Sequence, residues 1–153
     1  MKIYIAGAHQ NIHAMRLLAD VLTSAGHRVL QRRNWRDTNV KANIFAFCSS
    51  ACASVDLVIY MGEAGQDAGV EVGLARAWGV PVLGIRGPLE APGLMLYGAA
   101  SVWVESVEAA LNLLEQTTEW AGRRSGAPQG ASGADAPEPV RRLLAKWEKG
   151  HGA

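Results

Sequence analysis

The sequence predicts an α/β sandwich in which a five-stranded parallel sheet lies between two layers of helices, followed by a flexible C-terminal tail. Three observations carry this expectation. Leu57-Val58-Ile59-Tyr60-Met61 and Val80-Pro81-Val82-Leu83-Gly84-Ile85 are continuous apolar runs without polar alternation, as expected for strands covered on both faces. Helix-like segments follow the strand-like runs and close on glycine, at Ala25-Gly26 and at Gly79. Strand and helix signals alternate five times, the order that builds parallel βαβ units. Together they predict a flavodoxin-like or Rossmann-like three-layer sandwich.

The first strand is Lys2-Ile3-Tyr4-Ile5-Ala6-Gly7. It stops at the small, polar turn Gly7-Ala8-His9-Gln10, after which Asn11 is a suitable N-cap. Ala14, Leu17, Leu18, Val21 and Leu22 recur at helical spacing. Arg28 to Gln31 is a second, short strand. Residues 32–41 are polar and irregular, a segment that lies over a ligand or serves as a solvated connector. Asn43 to Ser54 reads as a helix with a small-residue face of Ile44, Phe47, Cys48, Ala51 and Cys52. The strand from Leu57 leads through Gly62-Glu63-Ala64-Gly65-Gln66 to Asp67, a good N-cap for the next helix. Residues 86–93 form a loop, Leu94 to Gly98 a helical turn, Ser101 to Val104 the last strand, and Val107 to Trp120 the last core helix. Residues 1–121 are therefore one domain. Residues 122–139, rich in Gly, Ala, Ser and Pro, read as a linker, and 140–153 as a tail whose short helix uses Val140, Leu143, Leu144 and Trp147.

The 153 residues, 49% apolar and 19% charged, fit one soluble globule. No apolar run reaches the roughly 20 residues of a membrane helix, and the N-terminus lacks the pattern of a signal peptide. Two cysteines make no disulfide framework, so a reducing cytoplasm is the expected compartment. A net charge of +1 carries no nucleic-acid or membrane footprint, although residues from 122 onward hold six bases and three acids.

Asp67 and Glu71 stand one helical turn apart where a strand meets a helix N-terminus, the usual ligand position in open α/β sheets. The loop before them has no bulky side chain, and Gly69, Gly73 and Ala77 form a smooth stripe behind it. Two acids facing a small cavity suit glycosidic chemistry, with one carboxylate attacking the anomeric carbon; two acids complementing the helix dipole is the plainer reading. Gly7, His9, Gly62, Gly65 and Arg86 occupy the same sheet edge, and Arg86 has the chemistry to meet a phosphate. Dinucleotide and P-loop fingerprints are absent, and no cofactor is implied. Cys48 and Cys52, or His9 and His13, lack the further ligands of a metal site and read better as small buried hydrophobes and as loop histidines. Asp56, opening a buried strand, reads as a structural cap.

The segment Asp67-Ala68-Gly69-Val70-Glu71-Val72-Gly73-Leu74-Ala75, followed by Gly79-Val80-Pro81-Val82, resembles the nucleoside 2-deoxyribosyltransferase-like family, as do Lys2 to Gly7 and Asp56 to Tyr60. The resemblance spans about residues 1 to 115. It implies a flavodoxin-like sandwich, Glu71 as a nucleophile forming a covalent glycosyl intermediate, Tyr4 as its orienting partner and Asp67 as a ligand of a sugar hydroxyl. It also implies a small nucleoside or nucleotide as substrate, transfer to a second base or to water, and a homo-oligomer. The chain departs from the transferases in having two fewer residues between motif acid and glutamate. It also has Cys48 where they carry an aspartate that works near the nucleobase. That thiol motivates a second reading, a non-catalytic nucleotide-binding or sensing module on the same fold. A third is a scaffold whose tail helix recruits a partner.

Overall fold

The computed structural model describes residues 1–30, 40–88, 91–126 and 136–144. Its sheet comprises β1 (Lys2–Gly7), β2 (Arg28–Leu30), β3 (Leu57–Met61), β4 (Val82–Ile85) and β5 (Val102–Val104). All four pairings are parallel, in the order β2-β1-β3-β4-β5. The helices are α1 (Ile12–Ser24), α2 (Val40–Ser54), α3 (Gln66–Ala77), α4 (Leu94–Ala99), α5 (Val107–Gly126) and α6 (Glu138–Leu144), with a 3₁₀ turn at His9–Asn11. This is the expected three-layer sandwich, with flavodoxin-like strand order.

The period-2 geometry of the strands divides the core in two. Ile3, Ile5, Leu57, Ile59, Met61, Leu83 and Ile85 face the layer that holds α1, α5 and α6. Tyr4, Ala6, Val58, Tyr60 and Val82 face α2 and α3. Every residue of β3 and β4 is buried, which explains their unbroken apolar sequence. Each fully buried Leu, Ile or Val contributes about 1.5–3 kcal/mol by leaving water.

Both glycine helix ends form as expected. Gly26 and Gly79 adopt φ of 85° and 70°. Their N–H groups donate to Thr23 and Arg76, and the following residues, His27 and Val80, donate to Leu22 and Ala75. These are paired Schellman bonds that satisfy the last carbonyls of α1 and α3.

Several local expectations are corrected. Asn11 makes no capping bond; its amide reaches across to the β3 loop instead. Gly65, not Asp67, occupies the N-cap of α3, and Asp67 lies in the first turn. The buried stripe of α1 is Leu18, Ala19 and Leu22, while Leu17 and Val21 are 68% and 48% exposed. The face is rotated because Ala19, too small to mark a hydrophobic period, is the residue that lets the helix approach the sheet. A Cβ at Gly69 or Gly73 would meet nothing within 4 Å, so among the described residues no other backbone approaches those two positions. Helix α2 begins at Val40, within the segment expected to be irregular, and residues 31–39 lie outside the described set. Helix α5 continues to Gly126, and α6 starts at Glu138 with Ala136, Val140 and Leu143 buried in the core. The regular structure thus trims the expected linker at both ends, and residues 127–135 and 145–153 lie outside the described set.

At the β4–β5 edge, Gly84 is paired with Trp103. The indole lies directly over Gly84, stacks on Tyr97 at 5.9 Å and meets Tyr60 edge-on at 5.7 Å. A Cβ on Gly84 would overlap the indole ring. Gly84→Ala should therefore cost about 1–3 kcal/mol, the usual effect of overpacking, read as a lower urea midpoint with an unchanged slope.

Candidate active site

The site arises where the sheet order reverses. The chain leaves β1 for α1 on one face, whereas it leaves the neighbouring β3 for α3 on the other. The diverging connections open a crevice at the C-terminal ends of β1 and β3, where ligands bind in this architecture. A cleft of about 500 Å³, counted out to open solvent, occupies that position.

Its floor is a buried polar pair. Tyr4, on β1, and Glu71, on α3, are 3% and 7% exposed. The Tyr4 hydroxyl donates to Glu71 Oε1 at 2.9 Å, and Tyr4 Oη also lies 3.4 Å from Cys48 Sγ on α2. A phenol has one proton, and an ionised carboxylate is a stronger acceptor than sulfur, so the thiol is the donor in the second contact. Burial, followed by the negative charge of Glu71, pushes the Tyr4 phenol well above its ordinary pKa. Tyr4 therefore stays protonated and remains a hydrogen-bond donor to the carboxylate. The edge of Phe47 packs on the Tyr4 ring at 6.4 Å, fixing the phenol from the side.

Cys52, one turn after Cys48, is fully buried, and burial together with Glu71 and Cys48 pushes its thiol up to about 12. Both cysteines are small core residues beside a carboxylate. Among the described residues, no three His, Cys, Asp or Glu side chains gather as metal ligands do.

The rim is stiffened by contacts between strand-end loops. Asn11 Nδ2 donates to the Glu63 carbonyl at 2.8 Å, tying the β1 connection to the β3 loop. On the other side Gly87, just after β4, lies so close to that loop that a Cβ would stand 2.7 Å from Glu63 N. Only glycine fits there without displacing backbone.

Of the residues expected at the site, Tyr4, Gly7, His9 and Glu71 line the cleft. Asp67 is exposed and stands outside its wall, as do Gly62, Gly65 and Arg86. Arg86 Nη1 pairs with Glu105 at 3.3 Å on the β4–β5 side, while its buried Nε has no hydrogen-bond partner among the described residues. Asp56 accepts the Lys2 N–H at 2.6 Å at the opposite end of the sheet, in a structural position. The sequence reading missed the α1 wall: Ile12, Met15 and Arg16 face the cleft. Their spacing (i, i+3, i+4) marks a helix face, but the competing apolar set at Leu17 and Val21 masked it.

No family model and no curated protein matches the chain. Solved structures do. A 2-deoxyribosyltransferase of Bacillus psychrosaccharolyticus aligns with a TM-score of 0.60 at 19% identity, over 73% of this chain and 91% of that one. The CMP N-glycosidase of Clostridium botulinum aligns with a TM-score of 0.55 at 17% identity, over 75% and 99%. A conserved protein of Enterococcus faecalis aligns with a TM-score of 0.63 at 15% identity, over 76% and 98%. At these identities the likeness is one of fold, and it spans nearly the whole of each neighbour.

The Tyr4–Glu71 bond is testable without any substrate. Tyr4→Phe leaves a buried carboxylate short of one donor and should cost about 1–3 kcal/mol. In urea unfolding of Tyr4→Phe, Glu71→Gln and the double variant, the two losses should be non-additive; strict additivity would mean that the two side chains do not interact.

Proposed function

We propose that the protein cleaves or transfers the N-glycosidic bond of a nucleoside or nucleotide, with Glu71 as nucleophile. The observation that carries this reading is the buried Glu71 carboxylate, held by a phenol that stays protonated, on the floor of a cleft at the β1–β3 switch point. The resemblance of the Asp67 to Ala75 segment to nucleoside 2-deoxyribosyltransferases supports it. So does the fold shared with a 2-deoxyribosyltransferase and a CMP N-glycosidase.

In this mechanism Glu71 attacks the anomeric carbon as the base departs with the electrons of the C–N bond. The departing nitrogen takes up a proton, and the sugar remains as an ester on Glu71. A second base or a water then attacks the same carbon, loses its proton and releases the carboxylate. The transition state carries positive charge on the sugar, which an adjacent carboxylate stabilises most in a site withdrawn from water. Tyr4 is a positioning residue: it holds one carboxylate oxygen and leaves the group oriented to the cleft.

A second reading, a nucleotide-binding module without turnover, is favoured by one contact. Cys48, not a carboxylate, stands beside Tyr4, and a thiol is a weak donor with little capacity to protonate a leaving base.

The deciding experiment is base release, followed by liquid chromatography, from ribo- and deoxynucleosides and their 5′-monophosphates, with and without a second free base. Wild type should release base and Glu71→Gln should lose at least about 10³-fold, the scale on which a covalent nucleophile acts. Dependence on the added base identifies a transferase. Saturable binding with no release by wild type establishes the binding-module reading.

We further propose that Asp67 reaches the sugar in a homo-oligomer, where a second copy covers the α2–α3–α4 face. Phe45, Trp78, Leu94 and Met95 are 63%, 63%, 93% and 89% exposed on those helices or at their ends, an apolar surface of the kind that interfaces bury. Light scattering at micromolar concentration should give at least twice the 16.3 kDa chain mass; a monomer overturns the proposal.

A further inference from the structure

We propose that Cys48 is a positioning residue for Glu71 that acts through Tyr4: its thiol donates to the phenol oxygen, and the phenol in turn donates more strongly to the carboxylate. The relay stands on the geometry of the three side chains; its effect on turnover rests on the glycosidic reading.

Four observations converge. Cys48 Sγ lies 3.4 Å from Tyr4 Oη, and Tyr4 Oη lies 2.9 Å from Glu71 Oε1. The three side chains come from α2, β1 and α3, and each is more than nine-tenths buried. Phe47, the residue before Cys48, packs edge-on against the Tyr4 ring, so α2 holds both the ring and the oxygen of the phenol. Tyr4 and Glu71 line the cleft and Cys48 does not. Its influence on a ligand therefore passes through them.

The direction of the relay follows from counting protons. A carboxylate only accepts, so the single phenol proton is committed to Glu71 and the phenol oxygen is left as an acceptor. A thiol has one proton and accepts weakly, so it gives without competing. A carboxylate in the same place would contest the phenol proton and set a second anion beside Glu71. Hydrogen bonds in series polarise one another, and a phenol that receives one gives a stronger one by about 10–30%. Cys48 thus tightens the hold on Glu71 without adding a charge. Among the described residues, the other titratable groups around this carboxylate are Cys52 on α2, Asp67 one turn earlier on α3, and His9 and Arg16 on the cleft wall. All four are the same in every variant compared below, so differences between variants report on the relay.

The test is a cycle of variants read at Glu71. Carbon NMR follows the titration of its carboxylate in wild type, Cys48→Ala, Tyr4→Phe and the double variant. Tyr4→Phe should move the titration to higher pH, because the charged form loses a donor. Cys48→Ala should move it in the same direction by about 10–30% as much. In the Tyr4→Phe background Cys48→Ala should add nothing, since the connection is already cut. Cys48→Ser, which keeps a donor, should return the titration close to its wild-type position. The infrared S–H stretch of Cys48, identified by its loss in Cys48→Ala or Cys48→Ser, should rise in frequency in Tyr4→Phe as the thiol loses its acceptor. A Cys48→Ala shift that is equal with and without the Tyr4 hydroxyl, or an S–H band indifferent to Tyr4→Phe, overturns the proposal. Should Cys48→Ala fail to fold, the infrared comparison of wild type with Tyr4→Phe decides. Base release is recorded in parallel. A relay seen by both methods without release by wild type refutes the glycosidic reading while upholding the relay. Release that Cys48→Ala lowers equally with and without the Tyr4 hydroxyl does the reverse.

Discussion

The pairing of β1 with β3 sets nearly everything else. Five residue pairs, from Ile3 with Leu57 to Gly7 with Met61, lock two strands that are far apart in sequence side by side at the centre of the sheet. Because α1 and α3 then depart to opposite faces, a crevice at their ends is a geometric necessity and needs no specialised loop. The same register puts Tyr4 on the α2–α3 face, opposite Val58 and within one hydrogen bond of a glutamate 67 positions away.

The site balances two demands that pull against each other. A carboxylate is more reactive toward a cationic centre when withdrawn from water, but withdrawal is costly unless hydrogen bonds replace the lost solvation. The phenol supplies one such bond, and its own burial keeps it from ionising and turning from donor into a second anion. Cys48 and Cys52 serve this arrangement through size. They let α2 lie close to Tyr4 and Glu71, and neither brings a charge of its own while its thiol is protonated. For Cys52, at about 12, that is its state at neutral pH.

The fold was legible in the sequence because it is written in local signals. Unbroken apolar runs marked the buried strands, and glycines with positive φ ended α1 and α3 where expected. Glu71 and Tyr4 were legible only through resemblance to a family, since nothing local in either segment announces a partner in the other. Asp67 shows the limit of spacing arguments. It lies one turn before Glu71, yet the buried face of α3 runs through Ala68, Glu71, Val72 and Ala75 and Asp67 falls just outside it, so one carboxylate is exposed and the other buried. Arg16 escaped notice for a related reason. Which face of α1 meets the sheet depends on how closely its backbone can approach, and Ala19 decides that.

The contacts at the rim carry a consequence for recognition. Asn11 fastens the β1 connection to the β3 loop, and Gly87 seats the β4 connection beneath it. The connection after β1, which lines the crevice, is thus tied to the β3 loop beside it, and the β4 connection is seated against that loop, when the protein folds. A ligand that enters finds this part of its surroundings already arranged and has few backbone degrees of freedom left to quench. Its affinity then reflects the contacts it makes, with little deducted for ordering the host. Selectivity here should accordingly come from the shape and charge of a fixed wall, so that exchanging single side chains on α1 changes which molecules are accepted without rebuilding the loops around them.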